Sequence, residues 1–339
     1  MTAAVTAATA VAHYADAPAL LTFALATVAL AGLAWIVSFS TEQVGQRYGP
    51  AVTGVLQSTL GNLPEFFIVI FALSAGELVV AQTSILGSIF ANALLVLGIV
   101  LVAGCHASAD GVMRFETRLP KDNAILMLLA SFLIVLIGLS VATDDNASSH
   151  VTAISIVGAV ALLVTYGVWL VDYLRSDVPR EAEQARPRVS LNLAFALLAA
   201  GGVGSAFVSD WFVTALSPAM ERIGVSKAFA GLVVVGIAGN AVENTTGIVL
   251  ALKGEADLAI SVVKNSVAQI TAFLFPALVL VSLLFASQLT FNLAPLYIGA
   301  LLLTAIALLQ ITSDGEGTRF EGVALVAFYV IVAVLALYE

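Results

Sequence analysis

Residues 61–65 read Gly61-Asn62-Leu63-Pro64-Glu65, and residues 239–243 read Gly239-Asn240-Ala241-Val242-Glu243. Both pentapeptides sit inside long apolar runs. The same offset of 178 positions, carried forward without a gap, pairs Gly76-Glu77 with Gly254-Glu255 and Ser88 with Ser266. One matched pentapeptide could arise by chance, but a register held through the following helix is a repeat. The chain reads as two related halves.

The surroundings fix the medium. Of the 339 residues, 60% are hydrophobic and 10% charged, whereas a soluble globular chain averages about 25% charged. Apolar runs of about 18 residues or more, each able to cross a hydrocarbon core of about 30 Å, recur from end to end. Hydropathy places ten spans, at 18–40, 51–74, 78–103, 122–142, 150–173, 190–210, 227–252, 257–285, 293–312 and 320–338. Residues 1–17 carry no positive n-region and lead straight into the first span, so no cleaved leader is expected.

The expected fold class is an all-α polytopic membrane protein of ten transmembrane helices. A first five-helix repeat, 1–173, holds the motif 61–92; a polar linker, 174–189, follows; a second five-helix repeat, 190–339, holds the motif 239–270. An odd number of spans per half sends the second copy into the membrane upside down, the inverted-repeat plan of secondary transporters. In this layout one side holds Arg47, Arg114, Arg118, Lys121, Arg175, Arg180, Arg186, Arg188, Lys253 and Arg319, and the other holds Arg222 and Lys227. The positive-inside rule then puts the linker in the cytoplasm and both termini outside a cell (inner) membrane.

Glu65 lies about 14 residues into its span and Glu243 about 16 into its own, near the midplane at about 1.5 Å rise per residue. An ionised carboxylate there costs about 2.5–3.5 kcal/mol even on the lenient insertion scale. Placing it twice, at equivalent positions, calls for a cation or a proton as counter-charge. Gly61 and Pro64 in one half, and Gly236, Gly239 and Gly247 in the other, loosen the helices and free carbonyls. Further oxygens come from Thr59, Asn62, Ser84, Ser88 and Asn92, and from Asn240, Thr245, Ser266 and Gln269, the ligand type that hard cations take. Each of these also serves in ordinary interhelical hydrogen bonding. A buried carboxylate binds a metal ion or a proton in turn, the simplest basis for antiport.

Other chemistries find little support. The single Cys105 and the lack of a Cys/His cluster leave zinc and redox chemistry without ligands. A formal charge of -9 without a basic patch argues against nucleic acid. No cofactor is expected beyond the transported cation and protons. Asp110, Glu116, Asp144, Asp145, Asp177, Glu181 and Glu183 read as solvated loop charges, His13, His106 and His150 as interfacial, and Trp35, Trp169 and Trp211 as a membrane-interface belt. An intramembrane lipid-modifying enzyme would need an aspartate cluster or a nucleophile with its base, and a channel would need a ring of like charges or carbonyls.

Thr41-Glu42-Gln43, Tyr48-Gly49-Pro50 and then 61–65 resemble the first signature of the calcium/cation antiporter superfamily, and within it most resemble the cation/proton exchanger family. That motif continues through Gln82-Thr83-Ser84-Ile85-Leu86-Gly87-Ser88 to Asn92. The second is matched by 239–243, Ala251-Leu252-Lys253 and Ser266 to Gln269. The resemblance implies a sodium/calcium exchanger-like fold and calcium/proton antiport. It implies Glu65 and Glu243 as cation and proton ligands, supported by Asn62, Gln82, Ser88, Asn92, Asn240, Ser266 and Gln269. Sodium or potassium against protons is the alternative.

Three residues depart from the family pattern, and two of them, Asn244 and Lys264, are expected to modulate the site. Asn244 stands where the family carries histidine after the second glutamate. Where the family carries a Gly-Ser pair this chain reads Lys264-Asn265-Ser266, which puts a lysine at the depth where ligands begin; either it pairs with a glutamate or it snorkels its ammonium to the interface. Ile270 stands where sodium-coupled relatives often have an acid, which favours protons as the coupling ion.

Overall fold

At each pentapeptide the helix breaks. Asn62 and Asn240 leave helical geometry with nearly the same backbone, φ -99° ψ 27° and φ -99° ψ 20°. A new helix starts at the next residue in each case, and Pro64 is tolerated because it falls in the first turn, where its missing N–H has no partner to lose. The structure, a computed structural model, describes residues 1–48, 60–175 and 187–339, save the side chains of Gln46, Tyr48, Arg118, Leu119, Tyr173, Leu174, Val242 and Glu243. Gly49, Pro50 and Thr59 of the first motif, and most of the linker, lie outside the described residues.

In chain order the helices are α1 (Thr2–Tyr14), α2 (Ala19–Tyr48), α3 (Leu63–Ser74), α4 (Leu78–Ala107), α5 (Arg118–Thr143) and α6 (Val151–Arg175). They continue with α7 (Leu191–Ile223), α8 (Lys227–Gly239), α9 (Ala241–Leu252), α10 (Ala256–Ser282), α11 (Pro295–Ile311) and α12 (Arg319–Leu337). Among the described residues seven helices are individually long and apolar enough to cross a bilayer: α2, α4, α5, α6, α7, α10 and α12. The pair α8 and α9 passes together with a bend of 55°, and α3 and α11 are shorter apolar helices. The 13-residue α1, packed along α2, was not foreseen, because its Ala/Thr-rich sequence is too short and too mildly apolar to register as a span.

The 178-residue register recurs in the backbone beyond the breaks. Gly76 (φ +75°) and Gly254 (φ +80°) end α3 and α9 in the left-handed region that glycine enters without strain. The following Glu77 and Glu255 send their N–H groups back to Ala72 (2.8 Å) and Leu250 (3.0 Å), satisfying carbonyls that the helix ends leave orphaned. Both α4 and α10 carry a π-helical segment, Ala91–Val96 and Ile270–Leu274, and α8 carries a third at Ala230–Val235. Such bulges free a carbonyl and re-aim side chains.

α4 and α10 are central: 83% and 67% of their apolar windows are buried, against 22–44% for the other long helices. The peripheral helices turn Phe132, Val157, Val164, Phe207 and Val330 outward, an apolar surface suited to lipid. α2 packs along α7, which lies next to α3. A short antiparallel pair, β1 (Val112–Arg114) with β2 (Glu316–Thr318), ties the α4–α5 loop to the α11–α12 loop. It is braced by Arg114 between Asp110 (2.7 Å) and Glu316 (3.2 Å), so the loop charge of Asp110 is exposed and paired. Trp35 is exposed, whereas Trp211 is buried and stacks on His13 of α1.

Candidate cation site

Glycine brings the site together. A Cβ on Gly87 of α4 would fall within 2.6 Å of the Leu232 Cα, and one on Gly236 within 2.5 Å of the Gly87 carbonyl carbon. α4 and α8 therefore cross backbone on backbone, as small residues permit between membrane helices. This crossing carries Ser88 and, one turn on, Asn92 against the break at Asn240. Asn240 is fully buried and satisfied. Its Oδ1 accepts from Asn92 Nδ2 at 2.7 Å and from Ser266 Oγ at 3.4 Å, and its Nδ2 donates to Ser88 Oγ and to the Gly236 carbonyl, both at 2.9 Å. Asn92 Nδ2 also donates to the Ser88 carbonyl at 2.9 Å. Four expected residues from three segments, Ser88 and Asn92 of α4, Asn240 of the α8–α9 break and Ser266 of α10, thus form one buried polar knot.

Glu65 enters from α3. It is the third residue of that helix, where the positive end of the helix dipole favours a carboxylate, and it is 1% exposed. Its carboxylate lies directly over Gly239, where a Cβ would stand 2.8 Å from the Glu65 Cδ. The first motif's glutamate is thereby set against the second motif's glycine. Asn62 is buried beside the break, with its Nδ2 lacking a partner among the described residues. Glu243 takes the equivalent third position of α9, and its side chain lies outside the described residues.

Several expected residues are not brought in. Gln82 donates to the Asn292 carbonyl at 3.0 Å, toward the α10–α11 loop, because it precedes Ser88 by six residues and lies near the start of α4. Ser84 and Thr245 bond back to their own helices, at Val80 (2.6 Å) and Ala241 (2.7 Å), and Thr245 faces outward. Gln269 is half-buried and is absent from the knot's hydrogen bonds. Asn244 spans the bend, its Nδ2 3.4 Å from the Ile237 carbonyl. Lys264 is 0% exposed, so the snorkelling reading fails: α10 is central and offers it no route to the interface. Two residues before Ser266, it leaves α10 about 200° around the helix from that serine, on the side where Ala268 and Ala272 meet Leu126 of α5 and Tyr166 of α6. Its Nζ has no partner among the described residues.

Against protein-family models, residues 18–172 and 193–338 match that of the sodium/calcium exchanger protein. The chain belongs to the sodium/calcium exchanger protein family. The vacuolar calcium ion transporter of Schizosaccharomyces pombe is 33% identical over 333 residues, covering 93% of this chain and 79% of that relative. The Ca(2+)/H(+) antiporter ChaA of Bacillus subtilis is 30% identical over 328 residues, covering 94% of this chain and 92% of that relative. The solved structure of native YfkE aligns with a TM-score of 0.84 at 26% identity, over 100% of this chain and 98% of that one. Family membership and the apolar outer faces together make this an integral membrane protein.

One cluster escaped the sequence reading. Glu77, at the α3–α4 turn, accepts from Lys227 Nζ (2.7 Å) and from Ser217 Oγ of α7 (2.8 Å), tying that turn to the distant end of α7 and start of α8. Burial pushes the Glu77 carboxyl up, but the bonds from Lys227 and Ser217 and the Lys227 charge outweigh it and hold the group below its ordinary value. The repeated Gly-Glu dipeptide was its only signal, and that marked the turn rather than the ion pair.

Proposed function

We propose that this protein is a secondary active antiporter that exchanges calcium for protons by alternating access, with Glu65 and Glu243 as the exchanging carboxylates. The observation that carries the reading is the seating of the Glu65 carboxylate over Gly239, one residue from a buried carboxamide and hydroxyl knot, at a point where two helices break. A half-helix N-terminus favours the anionic carboxylate when the site is empty, and freed carbonyls with amide and hydroxyl oxygens complete a hard-cation shell when it is filled. Protons and the metal ion compete for the same oxygens, so loading one releases the other. The cation and the protons are cargo, and no resident cofactor is needed. The names of the curated relatives, a calcium ion transporter and a Ca(2+)/H(+) antiporter, support calcium as the metal.

The same reading takes α2, the 51–74 segment, α4, α5 and α6 as five spans, and α7, the bent pair α8–α9, α10, α11 and α12 as five more in inverted orientation. It sets the termini outside an inner membrane and 174–189 in the cytoplasm. The recurrent break, cap and bulge geometry supports it. In everted vesicles holding an acid interior, calcium addition is expected to collapse the proton gradient. Collapse by sodium or potassium with no calcium response would replace calcium by a monovalent ion.

A further inference from the structure

The turn that joins α3 to α4 is tied to the second half of the chain, and its repeat-related turn carries no such tie. Glu77 accepts from Lys227 Nζ with both carboxylate oxygens, at 2.7 and 3.0 Å, and from Ser217 Oγ at 2.8 Å. Lys227 opens α8, which crosses α4 backbone on backbone at Gly87 and Gly236, so these two helices form one frame. Ser217 belongs to α7, which packs along α2, and the next residue is Pro218, inside the helix. The missing N–H of that proline frees the Thr214 carbonyl at a place where helices kink. Beside the pair lies a cavity of about 460 Å³ lined by residues 76–79, 226–228 and the terminal Glu339. The Glu77 and Lys227 side chains are 24% and 37% exposed, so the contact parts without stranding a buried charge. At the α9–α10 turn the offset of 178 residues puts Glu255 in the place of Glu77, Gly49 in that of Lys227 and Phe39 in that of Ser217. Neither glycine nor phenylalanine has a side-chain donor, and Glu255 is exposed and in no ion pair among the described residues.

We propose that Glu77, Lys227 and Ser217 form a one-sided latch on access to the cation site. Lys227 fixes the Glu77 carboxylate to the α4–α8 frame, Ser217 clasps it from α7, and the face where α4 and α8 begin stays shut until the clasp opens. By the topology proposed above, that is the outer face. The proposal rests on the antiport reading and adds to it the control of access. Glu255 gives the inner face no matching bond, so the latch favours the inward-open state over the outward-open one.

The test uses the full chain in right-side-out and in everted vesicles, with the apparent KM for calcium read from proton-gradient collapse at each face. A state populated to a fraction f raises its apparent constant by 1/f, so the ratio of outer to inner KM follows the inward-to-outward equilibrium whatever its starting value. Ser217→Ala removes one net hydrogen bond from the latched state, and the outer-to-inner ratio is expected to fall about fivefold. Glu77→Gln, which breaks the ion pair, is expected to move the ratio in the same direction. Ser217→Thr keeps the hydroxyl, Glu255→Gln alters the turn that has no clasp, and both are expected to hold the wild-type ratio. Damage to the cation site itself raises both KM values and leaves the ratio alone. A ratio that stays at the wild-type value or rises in Ser217→Ala overturns the latch, as does an equal fall in Ser217→Thr or Glu255→Gln. Should Glu77→Gln fail to accumulate, the two Ser217 variants decide alone. A wild type that answers to no cation at either face defeats the antiport reading and the latch with it, whereas a responsive wild type with an unmoved ratio in Ser217→Ala defeats the latch only.

Discussion

Adding one methyl group at Gly239 tests the seating of Glu65. A Cβ there stands 2.8 Å from the Glu65 Cδ and 3.2 Å from its Cγ, so the carboxylate must withdraw by about 0.6 Å to reach ordinary contact at 3.4 Å. Oxygen ligands of calcium sit at about 2.3–2.6 Å, a spread of about 0.3 Å. The displacement is about twice that spread. Because the clash meets the end of a side chain and not backbone, the fold yields cheaply, and Gly239→Ala is expected to keep its melting temperature within a few degrees. Apparent calcium affinity in the vesicle assay is expected to drop by about tenfold to a hundredfold, the scale on which misplacement of about 1 Å acts. Gly239→Ala that transports with wild-type KM would refute the placement of Glu65 at the ion.

Other expectations follow from the same geometry. Gly87→Ala drives a methyl group into the α8 backbone, which cannot rotate away, and is expected to destabilise by about 3 kcal/mol or more in detergent melts; Gly167→Ala, with nothing within 4 Å, is its control. Lys264→Met, which replaces a fully buried ammonium lacking a partner among the described residues, is expected to stabilise by about 2 kcal/mol, read as a higher melting temperature. Because Glu77 titrates below its ordinary value, its ion pair contributes fully at neutral pH and fades as the pH falls below about 4.5. With the pair partly exposed, Glu77→Gln is expected to cost up to about 1 kcal/mol at pH 7 and nothing at low pH, a difference that pH-dependent melts resolve.

What was legible in the sequence was whatever repeats or whatever the bilayer forbids. Glu65 and Asn240 stood out because polar groups at the midplane are expensive and because 178 residues separate like from like. The helix breaks followed from Gly, Asn and Pro at fixed positions, Ser88 and Ser266 followed from the register, and Asn92 from its place at the end of the first motif. The bonding pattern was not legible: nothing in spacing says that Asn92 turns its donor to Asn240, or that Gln82 turns to Asn292, since those choices depend on how close two helices approach. Gly87 and Gly236 set that approach, yet glycine is common in apolar helices and carries no mark of its partner. For Lys264 the depth along α10 was legible, but its full burial depends on how closely the neighbouring helices pack around α10, which spacing does not carry. The β1–β2 pair and the Glu77–Lys227 contact join residues more than a hundred positions apart through short polar segments without periodicity.

The central claim is that two carboxylates exchange calcium for protons. The most direct measurement is radiolabelled calcium uptake into liposomes holding the purified protein, driven by an acid interior, with wild type compared with Glu65→Gln and Glu243→Gln. The account predicts calcium accumulation that tracks proton efflux in the wild type and is lost in each variant while each remains folded. Calcium uptake that persists in either variant would contradict it.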